Sequence, residues 1–186
     1  MTSARKPSLR GRALRAIAPL AAVSALALSS AAPASAATCA GANADPEGAS
    51  LTVVKHATLC LLNQERAQHG LKKLRANGRL SLASQRHSND MTRRKYFEHG
   101  NFVGRIKAAR YLRGYGSWSV GENIAWGSGD LATPNEIVKA WMNSPPHRHN
   151  ILAAQFKEIG IGVTRGVPVR EDYEGATYAT DFGRRG

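Results

Sequence analysis

Apolar residues recur at helical spacing in two segments of the first half of the chain. The first segment, residues 51–69, ends before Gly70, whose conformational freedom suits a helix C-terminus. The second segment predicts a helix over residues 80–95, after a connector over residues 72–78. His87 lies on the apolar stripe of this second helix, so we interpret it as a hydrogen-bonded core histidine rather than a ligand.

The clearest helix start lies at Thr133. This residue supplies a capping hydroxyl, Pro134 occupies the first helical position, and Glu136 follows three residues after the cap. The helix is expected to end at Ser144 and Pro145, because proline disrupts the backbone hydrogen bonds of a helix. Side chains just beyond that point would therefore stand on a turn.

Two segments near the C-terminus, residues 159–163 and 178–182, alternate with a period of two and predict strands. Joined by a loop over residues 165–175, they would form a β-hairpin. Earlier in the chain, residues 103–112 predict a short helix and residues 114–121, with three glycines, predict a loop. These patterns indicate helices together with a small sheet, but they do not specify a particular fold.

Residues 1–36 have the layout of a secretory signal peptide. A start with five Lys or Arg and no acid precedes an Ala/Leu-rich apolar run, and small residues follow up to Ala36. We expect Sec-type export with cleavage after Ala36, a flexible lead-in over residues 37–50 and one domain over residues 51–186. An uncleaved membrane anchor is the disfavoured alternative, since the apolar run is short and broken. After cleavage the chain is not expected to span a membrane.

The charge of the chain is strongly basic. It has 26 Lys and Arg against 13 Asp and Glu, a net charge of +13. Cleavage after Ala36 would remove five cations and no acid, and would leave a net charge of +8. Because no block of like charges or basic stripe with aromatics occurs, nucleic acid is not an expected partner. Attraction to an anionic cell wall or cell surface is expected, and it should weaken with salt.

The chain has two cysteines, Cys39 and Cys60. An even number in an exported protein predicts one disulfide, here between the lead-in and the first helix. A closed loop of this size stabilises by about 3 kcal/mol in the chain-entropy model. The alternative is a buried free thiol at Cys60 with a mobile Cys39.

Candidate chemistry is concentrated in residues 141–152. Polar side chains follow directly after the two prolines, and on an exposed turn such side chains more often form a site than a scaffold; they are His147, Arg148, His149 and Asn150. A solvated loop that happens to be rich in histidine is the alternative. His99 precedes a glycine at a second expected turn. Glu122 lies beside an apolar segment that could alter its proton affinity, or it is an exposed residue at a strand end.

Six short motifs occur in the order in which they stand in one known family. They are NQER at 63–66, YFEH at 96–99, GENIA at 121–125, WMNSPPHRHNIL at 141–152, FKEIGIG at 156–162 and TDFG at 180–183. With these motifs the chain resembles the CAP superfamily of cysteine-rich secretory, antigen 5 and pathogenesis-related 1 proteins. The spacing is similar to that of its bacterial SCP-like extracellular branch. The resemblance covers residues 54–183, and six motifs in order are far more specific than one.

The resemblance implies an α+β fold, a three-layer α-β-α sandwich in which a small antiparallel sheet lies between helical layers beside a central cleft. It also implies a cleft with two histidines and two acids, in which the histidines can bind a divalent metal such as zinc. Motif by motif, His99 and His147 match the histidines and Glu122 matches the first acid. The second acid of eukaryotic members falls on Ser144, so a mechanism that requires two carboxylates lacks one of them here.

Two roles stay open for the acid of this predicted cleft. Catalytic zinc usually has three protein ligands and a water, and Glu122 could be the third ligand. Alternatively, it could orient a metal-bound water or accept its proton as a general base. Asn123 and Ser144 are candidate supporting residues, and His149 could assist or replace His147.

Three functions follow as hypotheses. The main expectation is a secreted module whose metal-dependent or metal-modulated cleft binds a lipid, glycan or protein ligand, because family members share the site and differ in role. The second is a metal-assisted hydrolase of the peptidase kind with Glu122 as general base. The third is a purely structural cluster, in which the polar residues form a hydrogen-bond network that fixes the cleft.

Overall fold

The computed structural model describes residues 38–171 and 173–186, so the predicted signal peptide lies outside the described residues. The helices of this part are α1 (Leu51–Gln68), α2 (Gly78–Arg94), α3 (Phe102–Ala108), α4 (Pro134–Asn143) and α5 (Pro145–Leu152). The strands are β1 (Arg75–Ala76), β2 (Trp118–Ser128), β3 (Glu158–Arg165) and β4 (Gly175–Arg185), and a 3-10 turn covers Gly129–Ala132. The helices and the hairpin predicted from periodicity are all present, with ends that differ by a few residues.

The four strands form one sheet in the order β1-β3-β4-β2. Strand β4 pairs antiparallel with β3 and, along its full length, with β2, whereas the short β1 is parallel to β3. The loop predicted over residues 114–121 is wrong in its second half, because β2 begins at Trp118. The strand was missed because helices cover both faces of its middle part, so its residues do not alternate in polarity.

Helices pack on both faces of the sheet. Helices α2 and α3 lie on one face, and α1, α4 and α5 lie on the other. Successive residues of β4 separate the two layers: Tyr178 and Phe182 join the core beneath α1 and α4, while Ala179 packs with Met91 of α2. The three-layer α-β-α sandwich is therefore confirmed.

Two glycines allow α2 to lie directly on the sheet. A Cβ added at Gly160 or Gly162 of β3 would overlap the backbone of α2 at Leu80 and Ser84. The close approach places the inward side chains of α2, including His87, against the centre of the sheet. This is the face on which the side chain of Glu122 lies.

The turn predicted after Pro145 is wrong. Pro145 and Pro146 occupy the first two positions of α5, where a helix needs no backbone N–H and a fixed φ favours helix formation. Ser144 ends α4 and begins α5 at the same time, with an extended backbone conformation. His147 consequently lies in the first turn of a helix rather than on a loop.

The N-terminal part of the described chain is attached to the domain. The Cys39–Cys60 disulfide is present, with Cα atoms 5.7 Å apart, as predicted. Arg165 donates hydrogen bonds to the carbonyls of Pro46, Glu47 and Ala49, within the segment predicted as a flexible lead-in. None of the helices in the described residues is long and apolar enough to cross a membrane.

Candidate functional site

Glu122 is the centre of the polar cluster. It lies in the middle of β2 with 1 % of its side chain exposed, so it is not an exposed residue at a strand end. Its Oε1 is 2.8 Å from Nδ1 of His99, and its Oε2 accepts a 2.6 Å hydrogen bond from Nη2 of Arg105. Each oxygen of the carboxylate therefore has its own partner.

The environment changes the proton affinity of this acid, as its apolar neighbours suggested. Burial raises the pKa of Glu122, and the Arg105 guanidinium and the hydrogen bond to His99 partly offset the rise. Because both oxygens already accept hydrogen bonds, the carboxylate holds the His99 ring in place. The hydrogen bond uses Nδ1, which leaves Nε2 as the ring nitrogen available to a ligand.

His147 lies near His99. Burial, and to a smaller extent the charge of His99, lowers the pKa of His147. The backbone carbonyl of His147 accepts a 3.0 Å hydrogen bond from Asn123, whose Oδ1 accepts one from Asn150. Asn150 also donates to the backbone carbonyl of Glu122. These amides attach the first turn of α5 to β2, and so fix His147 relative to the acid.

The other two predicted supporting residues, His149 and Ser144, are not part of the hydrogen-bond network around Glu122. His149 is exposed and lines a separate cavity of about 420 Å³ beside Arg148 and Leu152. Residues two positions apart on a helix point about 200° apart, so α5 directs His147 and His149 to different surfaces. Ser144 is half-buried at the break between α4 and α5, and its side chain makes no capping hydrogen bond.

The cluster contains two side chains that are suited to bind a metal ion, rather than three. Within the described residues, no three His, Cys, Asp or Glu side chains are arranged to hold a metal ion together. Both oxygens of Glu122 already have a partner, His99 on Oε1 and Arg105 on Oε2, which favours an orienting role over that of a third ligand. The imidazoles of His99 and His147 are the groups whose chemistry fits a divalent ion such as zinc.

Comparison with known families decides the membership of the chain. The model of the CAP family, the cysteine-rich secretory protein family, matches residues 59–173. The chain belongs to the CAP family. Among curated proteins of Bacillus subtilis, the uncharacterised protein YkwD is 38% identical over 119 residues, which are 61% of this chain and 44% of that protein. The uncharacterised membrane protein YlbC is 33% identical over 116 residues, 61% of this chain and 32% of that protein. The CAP chain thus spans less than half the length of either relative.

Solved structures agree with the CAP assignment. An extracellular protein with an SCP domain from Bacillus anthracis is 25% identical, with a TM-score of 0.54 over 73% of this chain and 44% of that one. An outer surface protein of Borrelia burgdorferi is 18% identical, with a TM-score of 0.61 over 74% of this chain and 97% of that one. At that identity the second likeness shows the fold alone.

Sequence reasoning missed a second buried acid of the CAP domain, Asp181. It stands directly opposite Glu122 in the pairing of β2 with β4. Its Oδ2 accepts a 2.8 Å hydrogen bond from Ser84, while its buried Oδ1 has no hydrogen-bond partner among the described residues. Burial and the charge of Glu122 raise its pKa to about 7. The TDFG motif contains this residue, but only the strand register brings it to the cluster.

Two basic residues complete the cluster on the side of α2 and α3. His87 is buried and its Nε2 is 3.1 Å from the backbone carbonyl of Glu98, so it is the core histidine that its position predicted. Burial and the charge of Arg105 lower its pKa to about 4, which keeps the ring neutral. Arg105, which no sequence pattern indicated, also donates to the backbone carbonyl of His99.

Proposed function

We propose that this CAP domain is a secreted, metal-modulated binding module whose cleft is built around His99 and His147. The observation that carries the proposal is the 2.8 Å pair of Glu122 Oε1 and His99 Nδ1. In metal sites a carboxylate bonded to one ring nitrogen orients the imidazole and makes the other nitrogen a better ligand. Glu122 is therefore a positioning residue, and Nε2 of His99 is the ligand.

His147 supplies the second nitrogen. Its lowered pKa supports this role, because only the neutral imidazole binds a metal. Two protein nitrogens leave the remaining positions of a tetrahedral ion to water or to a ligand. A bound divalent ion would supply a positive charge that attracts an oxygen of a lipid, glycan or protein ligand. Such a site is exchangeable rather than structural.

The two histidines of α5 provide a matched test of the metal site. We expect His147→Ala to weaken zinc binding at least about tenfold, since one of two protein ligands is lost, and His149→Ala to leave it unchanged. Isothermal titration of zinc into the chain from Thr38 to Gly186 and into both variants measures this. Equal affinities for the two variants would remove His147 from the site.

Glu122→Gln tests the positioning role. The amide has the same shape, but it lacks the negative charge that raises the basicity of His99, so we expect zinc affinity to fall about 10–100-fold. Glu158→Gln is the control, because Glu158 is also hydrogen-bonded, to Tyr111 and Arg185, outside the cluster. Lower stability of Glu122→Gln with unchanged zinc affinity would favour a purely structural cluster instead.

A hydrolase is the second candidate, favoured by the raised pKa of a buried glutamate next to two imidazoles. Hydrogen bonds from both partners of Glu122 favour the positioning role over that of a general base. A broad screen of peptide and ester substrates with zinc present, run in parallel on Glu122→Gln, separates the two. Hydrolysis lost in the variant supports the general base, and hydrolysis of equal rate in both proteins excludes it.

Export and attraction to an anionic cell surface belong to the same proposal. Support comes from the layout of residues 1–36 and from the net charge of +8 that would remain after cleavage. The Bacillus anthracis relative is described as extracellular. Secretion of the full chain into the culture medium, with residue 37 at the new N-terminus, is the expected result.

A further inference from the structure

A basic groove lies beside the edge of the sheet, away from the histidine cluster. It has a volume of about 660 Å³, and its lining includes Lys72, Lys73, Arg75, Phe156 and Lys157. Four residues of the lining are cations, all of them exposed, and no residue of the lining is an acid. Glu158, next to Lys157 in the chain, is already bonded to Arg185. The groove therefore has an uncompensated positive charge.

A fifth cation, Arg66 of α1, is buried beneath the groove with 1 % exposure. It donates hydrogen bonds to four backbone carbonyls, those of Lys72, Ile151, Ala153 and Phe156. Lys72 and Phe156 belong to the lining of the groove. None of the ion pairs formed within the described residues includes Arg66, so its charge adds to that of the four exposed cations.

The backbone that carries the groove is fixed before any ligand binds. Asn63 accepts a hydrogen bond from the backbone N–H of Leu74 and donates one to its carbonyl. Arg75 donates its backbone N–H to the carbonyl of Lys157, and Lys157 donates its own to Gly183. Because these hydrogen bonds already order the backbone, it loses little conformational freedom on binding, and the cations on these segments are preorganised for an anion.

We propose that this groove binds a linear, phosphate-bearing polymer without nucleobases, whose successive phosphates are neutralised by Lys72, Lys73, Arg75 and Lys157. The one aromatic residue in the lining, Phe156, is buried, so the groove has no exposed ring on which a base could stack. Lysines act as point charges for phosphate oxygens and the arginine provides a planar fork. A concave groove accepts a single extended chain, whereas a membrane surface would require a flat or convex basic face. The groove shares no residue with the His99 and His147 cluster, so the proposal can be tested independently of the metal site.

Binding of sodium polyphosphate, measured as a function of salt, tests the groove. Four neutralised phosphates on a flexible polyanion predict a slope of about −3 for log K against log salt, a loss of about 50-fold between 50 and 200 mM. In the variant Lys72→Gln, Lys73→Gln, Arg75→Gln, Lys157→Gln we expect most of this salt dependence, and at least about tenfold in affinity at 50 mM, to be lost.

The control variant removes the same charge away from the groove, through Arg86→Gln, Arg113→Gln, Lys139→Gln and Arg170→Gln, and should retain the wild-type slope. Equal slopes for the two quadruple variants would overturn the proposal, because binding would then follow net charge alone. Binding to vesicles with anionic lipids but not to soluble polyphosphate would also overturn it. Inorganic phosphate should compete only at far higher concentration, and equal potency per phosphate would exclude a polymer site. Thermal unfolding of both variants checks that the fold is retained.

Discussion

We expect Arg66→Met to lower the free energy of unfolding by about 3–5 kcal/mol. The methionine fills most of the volume, but four backbone carbonyls lose a charged donor, three of them in buried hydrogen bonds and the fourth, that of Lys72, in a partly buried one. Each buried loss costs about 1 kcal/mol or more. These carbonyls belong to two parts of the chain that are far apart in sequence, the connector after α1 and the end of α5 with the segment that follows it. Urea unfolding followed by circular dichroism measures the loss.

Arg165→Met is the matched control for this prediction. Arg165 also donates to three backbone carbonyls, but it is exposed, so water replaces the lost donor. We expect a cost of about 1 kcal/mol or less. A similar loss in both variants would mean that burial of the Arg66 hydrogen bonds does not determine their contribution.

We expect the difference in unfolding free energy between Asp181→Asn and the wild type to change in favour of the variant as the pH rises from 4 to 8. The pKa of Asp181 is raised from 3.8 in the unfolded chain to about 7 in the fold, so the folded state binds the extra proton between these values. Stability of the wild type therefore falls as the pH rises through this window, by up to about 4 kcal/mol. Because the asparagine side chain does not ionise, the variant does not lose this stability as the pH rises.

The measurement is the difference in unfolding free energy between Asp181→Asn and wild type at several pH values. His87 has the opposite tendency, since its pKa is lowered to about 4, but it is present in both proteins and its effect largely cancels. Asp90→Asn is the control of opposite sign. The hydrogen bond from Tyr96 lowers the pKa of Asp90, so this acid stabilises the fold at neutral pH and loses that effect in acid. A pH-independent difference for Asp181→Asn would contradict the raised pKa.

Periodicity predicted the helices and the hairpin, because both depend on local sequence, whereas the three-layer sandwich and the histidines of the cluster were implied by the resemblance of six motifs to the CAP superfamily. The capping residues of α4 and the alternation of β3 are readable from neighbouring positions. The pairing of Glu122 with Asp181 depends on the register of two strands that are far apart in sequence. Arg105 was missed for the same reason, because its partner is brought to it by tertiary packing.

The two prolines after α4 show a different limit. Pro145 and Pro146 were expected to end a helix, and they do end α4, but they also begin α5. Proline has both effects, and its local sequence does not determine which follows. The resulting helix, rather than a turn, separates His147 from His149 and makes one of them a candidate ligand and the other a control.

Zinc K-edge X-ray absorption of the zinc-loaded domain tests the metal site most directly. We predict two imidazole nitrogens at about 2.0–2.1 Å, with oxygen ligands in the remaining positions. This imidazole signal should disappear in the double variant His99→Ala, His147→Ala and persist in His149→Ala. An imidazole signal that is unchanged in the double variant, or zinc bound without imidazole in the wild type, would contradict the proposal.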